Sequence, residues 1–155
     1  MNIFKSLKQL FTSPTMEDPD FGRLTFIDIS KHPERSYWEA EWVFPPTGTP
    51  VGICLDGDES GPRPDYREWY LQLPSRYPRI LEQARPVVAK ELTFWLDQTM
   101  PDDVYQLVKI AGFSVKDPRA EPIEWDVAFE TIGEKWLYIN IPFVGDEPGE
   151  AVVDT

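Results

Sequence analysis

Between Tyr37 and Phe44 the chain alternates without a break, with Trp38, Ala40, Trp42 and Phe44 set against Tyr37, Glu39, Glu41 and Val43. A period of two sends successive side chains to opposite faces, which predicts a strand with one aromatic face and one carrying two carboxylates. The stretch 21–29 predicts a preceding strand, closed by a loop over 30–36. Val51–Leu55 predicts a following one, with Val51, Ile53 and Leu55 on a single side. The prolines of the run 45–50 cannot continue a ladder, so a turn is expected there and the three strands read as an antiparallel meander.

After residue 61 the period lengthens. Trp69, Tyr70 and Leu73 fall at helical spacing, and Pro62 or Pro64 suits the first turn of a helix. Pro74 is expected to interrupt that helix, with Ser75 capping a longer one that runs to about Leu96. Its stripe is Ile80, Leu81, Ala84, Val87, Val88, Leu92 and Trp95, and Pro86 within it predicts a kink or a division. A helical turn and then a strand are expected over 104–115, with the boundary open. Trp125, Val127 and Phe129 alternate with Glu124, Asp126, Ala128 and Glu130. A turn at 131–135 holding Gly133 leads to a return strand over 136–143, with Leu137, Ile139, Ile141 and Phe143 on one face. The predicted fold is α+β: an antiparallel sheet of an N-terminal three-stranded meander and a C-terminal hairpin, with central helices packed on one face.

Outside this unit, expected to span residues 21–144, lie two flanks. Ile3, Phe4, Leu7, Leu10 and Phe11 against Lys5, Ser6, Lys8 and Gln9 predict a short amphipathic helix over 1–11, joined by an acidic linker up to residue 20. A basic amphipathic helix suits weak contact with a membrane surface or a partner. Residues 145–155 hold four acids and no base, and suggest an acidic tail with a short strand near Val152 and Val153.

Composition narrows the chemistry. The 155 residues include 27 carboxylates, 15 Lys and Arg, one His and one Cys, for a net charge of −12. One Cys and one His cannot assemble a common zinc site, and a single Cys forms no internal disulfide, which fits a cytoplasmic setting. Without a basic stripe to displace counterions, nucleic acid is not an expected partner; a basic protein is. No nucleophile elbow, phosphate loop, dinucleotide fingerprint or zinc-protease motif occurs, so no catalytic residue and no cofactor are assigned. His32 lies in a loop composition, and Cys54 falls opposite Ile53 and Leu55 on its strand.

Two acidic groupings remain. Asp56-Gly57-Asp58-Glu59-Ser60-Gly61 begins like a calcium loop, with oxygens at the first, third and fifth places. Its seventh and ninth places are Pro62 and Pro64 and its twelfth is Arg67, so only Asp56 and Asp58 stand as weak metal candidates, the basis of an alternative metal-dependent reading. Glu39, Glu41, Glu124, Asp126 and Glu130 should emerge on one sheet face opposite the aromatics. Were their two strands close, like charges would repel unless a cation intervened: internal, with Arg23 and Lys109 as candidates, or supplied by a partner.

The run from Leu55 to Leu96, with its acidic turn, Gly61-Pro62, Arg67-Glu68-Trp69-Tyr70 and Tyr77-Pro78, resembles uncharacterised bacterial cytosolic domains. So do Trp125-Asp126-Val127-Ala128-Phe129-Glu130 and Asp146-Glu147-Pro148, and together the resemblance spans about residues 21–155. Some acidic members look like immunity proteins of toxin systems. The resemblance therefore implies a non-catalytic, toxin-neutralising protein that binds through an acidic surface, and it brings no site residues with it.

Overall fold

The computed structural model describes residues 13–155. The expected amphipathic helix over 1–11 lies outside the described residues. Strands β1 (Thr15–Asp18), β2 (Gly22–Ile27), β3 (Tyr37–Phe44), β4 (Thr49–Asp58) and β5 (Gly61–Pro62) precede helix α1 (Pro64–Leu96). Strands β6 (Val108–Val115), β7 (Glu124–Thr131), β8 (Tyr138–Val144), β9 (Glu147–Pro148) and β10 (Val152–Asp154) follow. They form one ten-stranded sheet in the order β1-β2-β3-β4-β6-β7-β8-β10, with β5 on β4 and β9 on β8.

Two runs of antiparallel pairing make up this sheet, and they meet at a single parallel pair, β4 with β6. Parallel neighbours need a crossover, and α1 supplies it. The expected antiparallel sheet is thus mostly antiparallel, with one parallel pair at its centre. The segment read as a linker contains β1, which pairs with β2 from Thr15↔Thr25 to Asp18↔Gly22, so the sheet begins before residue 21. At the other end both β9 and β10 pair with β8.

The expected two helices are one. Thirty-three residues run through Pro74, Pro78 and Pro86 without division. Each internal proline removes one hydrogen bond and costs about 3 kcal/mol in an isolated helix. Here nine side chains on one stripe, from Tyr66 through Tyr70, Tyr77 and Val88 to Leu92, are buried, while Pro78 and Pro86 face outward. Burial at about 1.5–3 kcal/mol per large apolar side chain outweighs the lost bonds. Ser75, expected as a cap, sits within the helix and donates Oγ to the Gln72 carbonyl at 2.9 Å. The helix ends at Asp97, whose φ of 52° is left-handed, with its N–H on the Thr93 carbonyl at 3.1 Å.

The core lies between α1 and one sheet face, and it is aromatic. Trp69 meets Trp125 at 5.7 Å, Phe44 meets Tyr77 at 5.1 Å, and Trp125 stacks on Phe143 at 4.2 Å. The alternating sets read from the sequence, Trp38 to Phe44, Val51 to Leu55, Trp125 to Phe129 and Leu137 to Phe143, all fall in it.

The parallel seam is held in an unusual way. Only Gly52↔Gly112 is in register between β4 and β6, beside a bulge between Ile110 and Gly112. The strands approach so closely that a Cβ on Gly112 would stand 2.6 Å from the Gly52 carbonyl oxygen. Above that point helix side chains complete the join. Tyr70 Oη donates to the Cys54 carbonyl at 2.8 Å and lies 3.5 Å from the Phe113 carbonyl. Tyr66 Oη lies 2.9 Å from both Asp56 Oδ2 and the Lys116 carbonyl. Both phenols are pushed up by burial, Tyr66 also by the Asp56 carboxylate, so they stay protonated and able to donate.

Candidate surface on the open sheet face

The face turned away from α1 is where the expected acidic surface lies, and cross-strand register orders it into rows. In an antiparallel pair directly opposed residues share a face. One row runs Thr15, Thr25, Glu39, Cys54; across the seam Ser114, Asp126 and Pro142 form another. Lys109, Glu130, Tyr138 and Asp154 make a third, at the β6–β10 side.

All five expected carboxylates are on this face, but they do not form one cluster. Strand β3, carrying Glu39 and Glu41, is separated from β7 by β4 and β6. At about 4.8 Å per strand, the two acidic groups stand about 14 Å apart. The anticipated repulsion between directly opposed strands therefore does not arise.

The two groups also differ in their partners. Glu130 meets Lys109 Nζ at 3.1 Å and accepts from Trp136 Nε1 at 3.1 Å. Those bonds, Trp136's first, hold its carboxyl below the usual range against the opposing pull of partial burial. Glu124 pairs with Lys116 at 3.2 Å, and Asp126 accepts from the Ser114 hydroxyl and from Asn140 Nδ2. Lys109 is thus an internal counter-charge, as considered from the sequence; Arg23 instead meets Glu17 at 3.3 Å. Among the described residues, Glu39 and Glu41 have no cation within 4 Å.

Glu39 and Glu41 flank a groove of about 740 Å³, lined also by Arg23, Thr25, Val43 and Gly52. Gly52 offers no side chain, so the seam glycine that lets β4 approach β6 also deepens this face. Cys54 sits beside Glu39. Partial desolvation, then Glu39 and Asp56, push its thiol up, which disfavours the nucleophilic thiolate. On the other side of the seam the face is more apolar, with Trp136, Val144 and Val152 exposed and Tyr138 beside Trp136 at 6.2 Å.

The remaining sequence candidates lie elsewhere. Asp56 accepts from Tyr66, while Asp58 accepts from the N–H and hydroxyl of Ser60, which hold its carboxyl below the usual range. Those bonds make the segment a strand end and tight turn, and among the described residues no three His, Cys, Asp or Glu side chains gather as a metal site. His32 is in the loop before a 3-10 turn, 3.3 Å from Glu34.

Three features were missed from sequence: the Tyr66 and Tyr70 ties across the seam, the Ser114–Asp126–Asn140 group, and the anchoring of β1 by α1. In the last, Arg67 Nε and Nη2 meet Asp18 at 3.0 and 3.2 Å, and Nη2 also reaches Asp20. Burial pulls the Asp18 carboxyl up, but Arg67 and the backbone N–H groups of Asp20 and Phe21 outweigh it and hold it below the usual range. Gly52 and Gly112 were the only visible signal of the seam, since glycine inside a strand marks close approach of another backbone. Among the described residues, no helix is long and apolar enough to cross a membrane. No protein-family model, no curated protein and no solved structure matches this chain.

Proposed function

We propose that this protein is a non-catalytic, cytoplasmic binding module that receives a basic protein on its open sheet face, in the manner of an immunity protein occluding a toxin. The observation that carries this reading is the pair Glu39 and Glu41: two carboxylates beside a groove, without an ion-pair partner among the described residues, on a face that α1 does not cover. Like charges two residues apart on one strand repel, and a lysine or arginine from outside relieves that repulsion. Net charge of −12 steers such a partner and raises its association rate. Trp136, Tyr138 and Val152 on the same face add apolar contact area, and Trp and Tyr are the residue types enriched at binding hot spots.

The test is capture from the source cell with the full chain as bait, beside the charge-reversed Glu39→Lys/Glu41→Lys bait. A partner of net positive charge should bind the first, leave at elevated salt, and fail to bind the second. A partner that binds both baits equally and ignores salt, or no partner at all, defeats the reading.

A further inference from the structure

We propose that this protein pairs with a second copy of itself through the end of the molecule where α1 stops and the turn between β7 and β8 lies beside it. Phe94, in the last turn of α1, is 75 % exposed, more than any other large hydrophobic side chain among the described residues. Its ring meets Trp95 edge-on at 5.2 Å. Beside this pair opens a groove of about 640 Å³, lined by Trp95, Leu96, Leu107 and Ile132 together with the Gln98 and Gln106 amides. A projecting ring and an apolar hollow are thus neighbours on one surface. A twofold axis at the rim between them sets each Phe94 into the other copy's groove, the self-complementarity that an isologous contact requires.

The groove is formed before any occupant arrives. The Ile132 N–H donates to the Leu107 carbonyl at 3.1 Å, which fixes one wall. Lys135 Nζ lies over the Trp95 ring, 5.9 Å from its centroid, and donates to the Trp95 carbonyl at 3.3 Å, so the turn is tied to the helix end. Trp95 Nε1 donates to Glu91 at 3.1 Å. Walls held in this way lose little conformational freedom when the hollow is filled. Charge selects the occupant. Glu134 and Lys135 are the only ionisable side chains of the described residues in the lining, and they cancel. The groove beside Glu39 and Glu41 is lined instead by three acids and one base: Asp20, Glu39, Glu41 and Arg23. Two chains of net charge −12 repel wherever acidic surfaces meet, so they approach at lowest electrostatic cost through the balanced end. A basic partner gains nothing from a groove without net charge. With aromatic side chains covering about 150–250 Å² each, Phe94, Trp95 and Ile132 expose about 300 Å² of apolar surface per copy. The pair then supplies about 600 Å², roughly half the area of the smallest stable interfaces, which makes the dimer reversible rather than permanent.

Sedimentation equilibrium of the full chain tests this. Between about 5 and about 500 µM the mean mass should climb from one chain toward two, as mass action requires. Added salt should strengthen the association, because it screens the repulsion between the two acidic chains and leaves apolar contact intact. Phe94→Gln keeps the charge unchanged and should weaken the dimer by about a hundredfold or more, since a twofold contact loses the ring twice. Ile132→Gln should act in the same direction. Val43→Gln, at an equally exposed apolar position on the other half of the open sheet face, should not. At the lowest concentration Phe94→Gln should melt with the wild type, which separates lost pairing from lost folding. A chain that stays monomeric at the top of the range overturns the proposal. So does a dimer that survives both Phe94→Gln and Ile132→Gln, that is lost in Val43→Gln, or that salt dissociates. No basic partner enters these measurements and no variant changes Glu39 or Glu41, so failure here leaves the partner reading standing, and a failed capture leaves this one standing.

Discussion

The two halves of the open sheet face carry acids of opposite circumstance. Beyond the seam, Glu124, Asp126 and Glu130 each meet a lysine, hydroxyl, amide or indole donor from a neighbouring strand or its flank. On the near side, Glu39 and Glu41 face Thr25, Cys54 and Gly52, and the cation that lines their groove, Arg23, is paired with Glu17 instead. The same alternating pattern produced both sets, so the pattern alone does not distinguish an acid that stabilises its own sheet from one left to interact outward. The difference lies in what stands opposite in the register. An acid with an internal partner contributes to folding; an acid without one contributes a field at the surface.

The largest way to break the comparison is to part the halves. Gly112→Val places a branched side chain where even a Cβ would press on the Gly52 carbonyl. It is expected to cost about 3 kcal/mol, read as a fall in the urea midpoint, because the opposing group is backbone and cannot swing aside. Tyr70→Phe keeps the ring packed but takes the donor from the Cys54 carbonyl. A loss of about 1–3 kcal/mol is expected by the same measurement, with the near-ultraviolet circular dichroism of the aromatic core largely retained.

The near half has one internal anchor at its edge, Arg67 with Asp18, and acid tests it. Because the folded carboxyl of Asp18 is held below its unfolded value, its contribution is complete above the unfolded value and is lost as pH falls through the folded one. Arg67→Leu should cost about 1 kcal/mol, with Arg67 partly exposed and the pair accordingly screened. That gap between variant and wild type should hold steady from neutral pH to about pH 4, then close on further acidification. A gap that widens in acid would contradict the assignment.

The smallest effect sharpens the contrast most. Neutralising Glu130 to Gln removes an ion pair and weakens an indole bond, and should lower the melting temperature slightly, by about 0.5 kcal/mol in stability terms. Neutralising Glu39 and Glu41 together should leave stability unchanged or raise it by a few tenths of a kcal/mol, since only repulsion is removed. Opposite signs in matched thermal melts would separate the two kinds of acid; equal losses would mean that Glu39 and Glu41 also support the fold.

Much of the architecture was legible in the chain. Strand β3 was readable because Trp38, Ala40, Trp42 and Phe44 alternate with polar or exposed residues, and β7 and β8 for the same reason. The helix was readable in its buried stripe but misread in its continuity. Proline penalties are local and visible, whereas the burial that offsets them depends on the sheet beneath. Strand β1 escaped because Thr15–Asp18, among prolines and acids, has the composition of a linker; pairing with β2 and the Arg67–Asp18 contact make it a strand.

The sequence by itself determined which side chains face the core, which face away, and that the chain is acidic and poor in histidine and cysteine. Those properties follow from local periodicity and composition, which every residue carries with it. Only the tertiary structure decided that β4 and β6 are neighbours, that Tyr66 and Tyr70 complete their seam, and that Glu39 and Glu41 lie on a different part of the face from Glu124, Asp126 and Glu130. Strand order and register join residues more than fifty positions apart, and no periodicity within one segment encodes which distant segment will lie beside it.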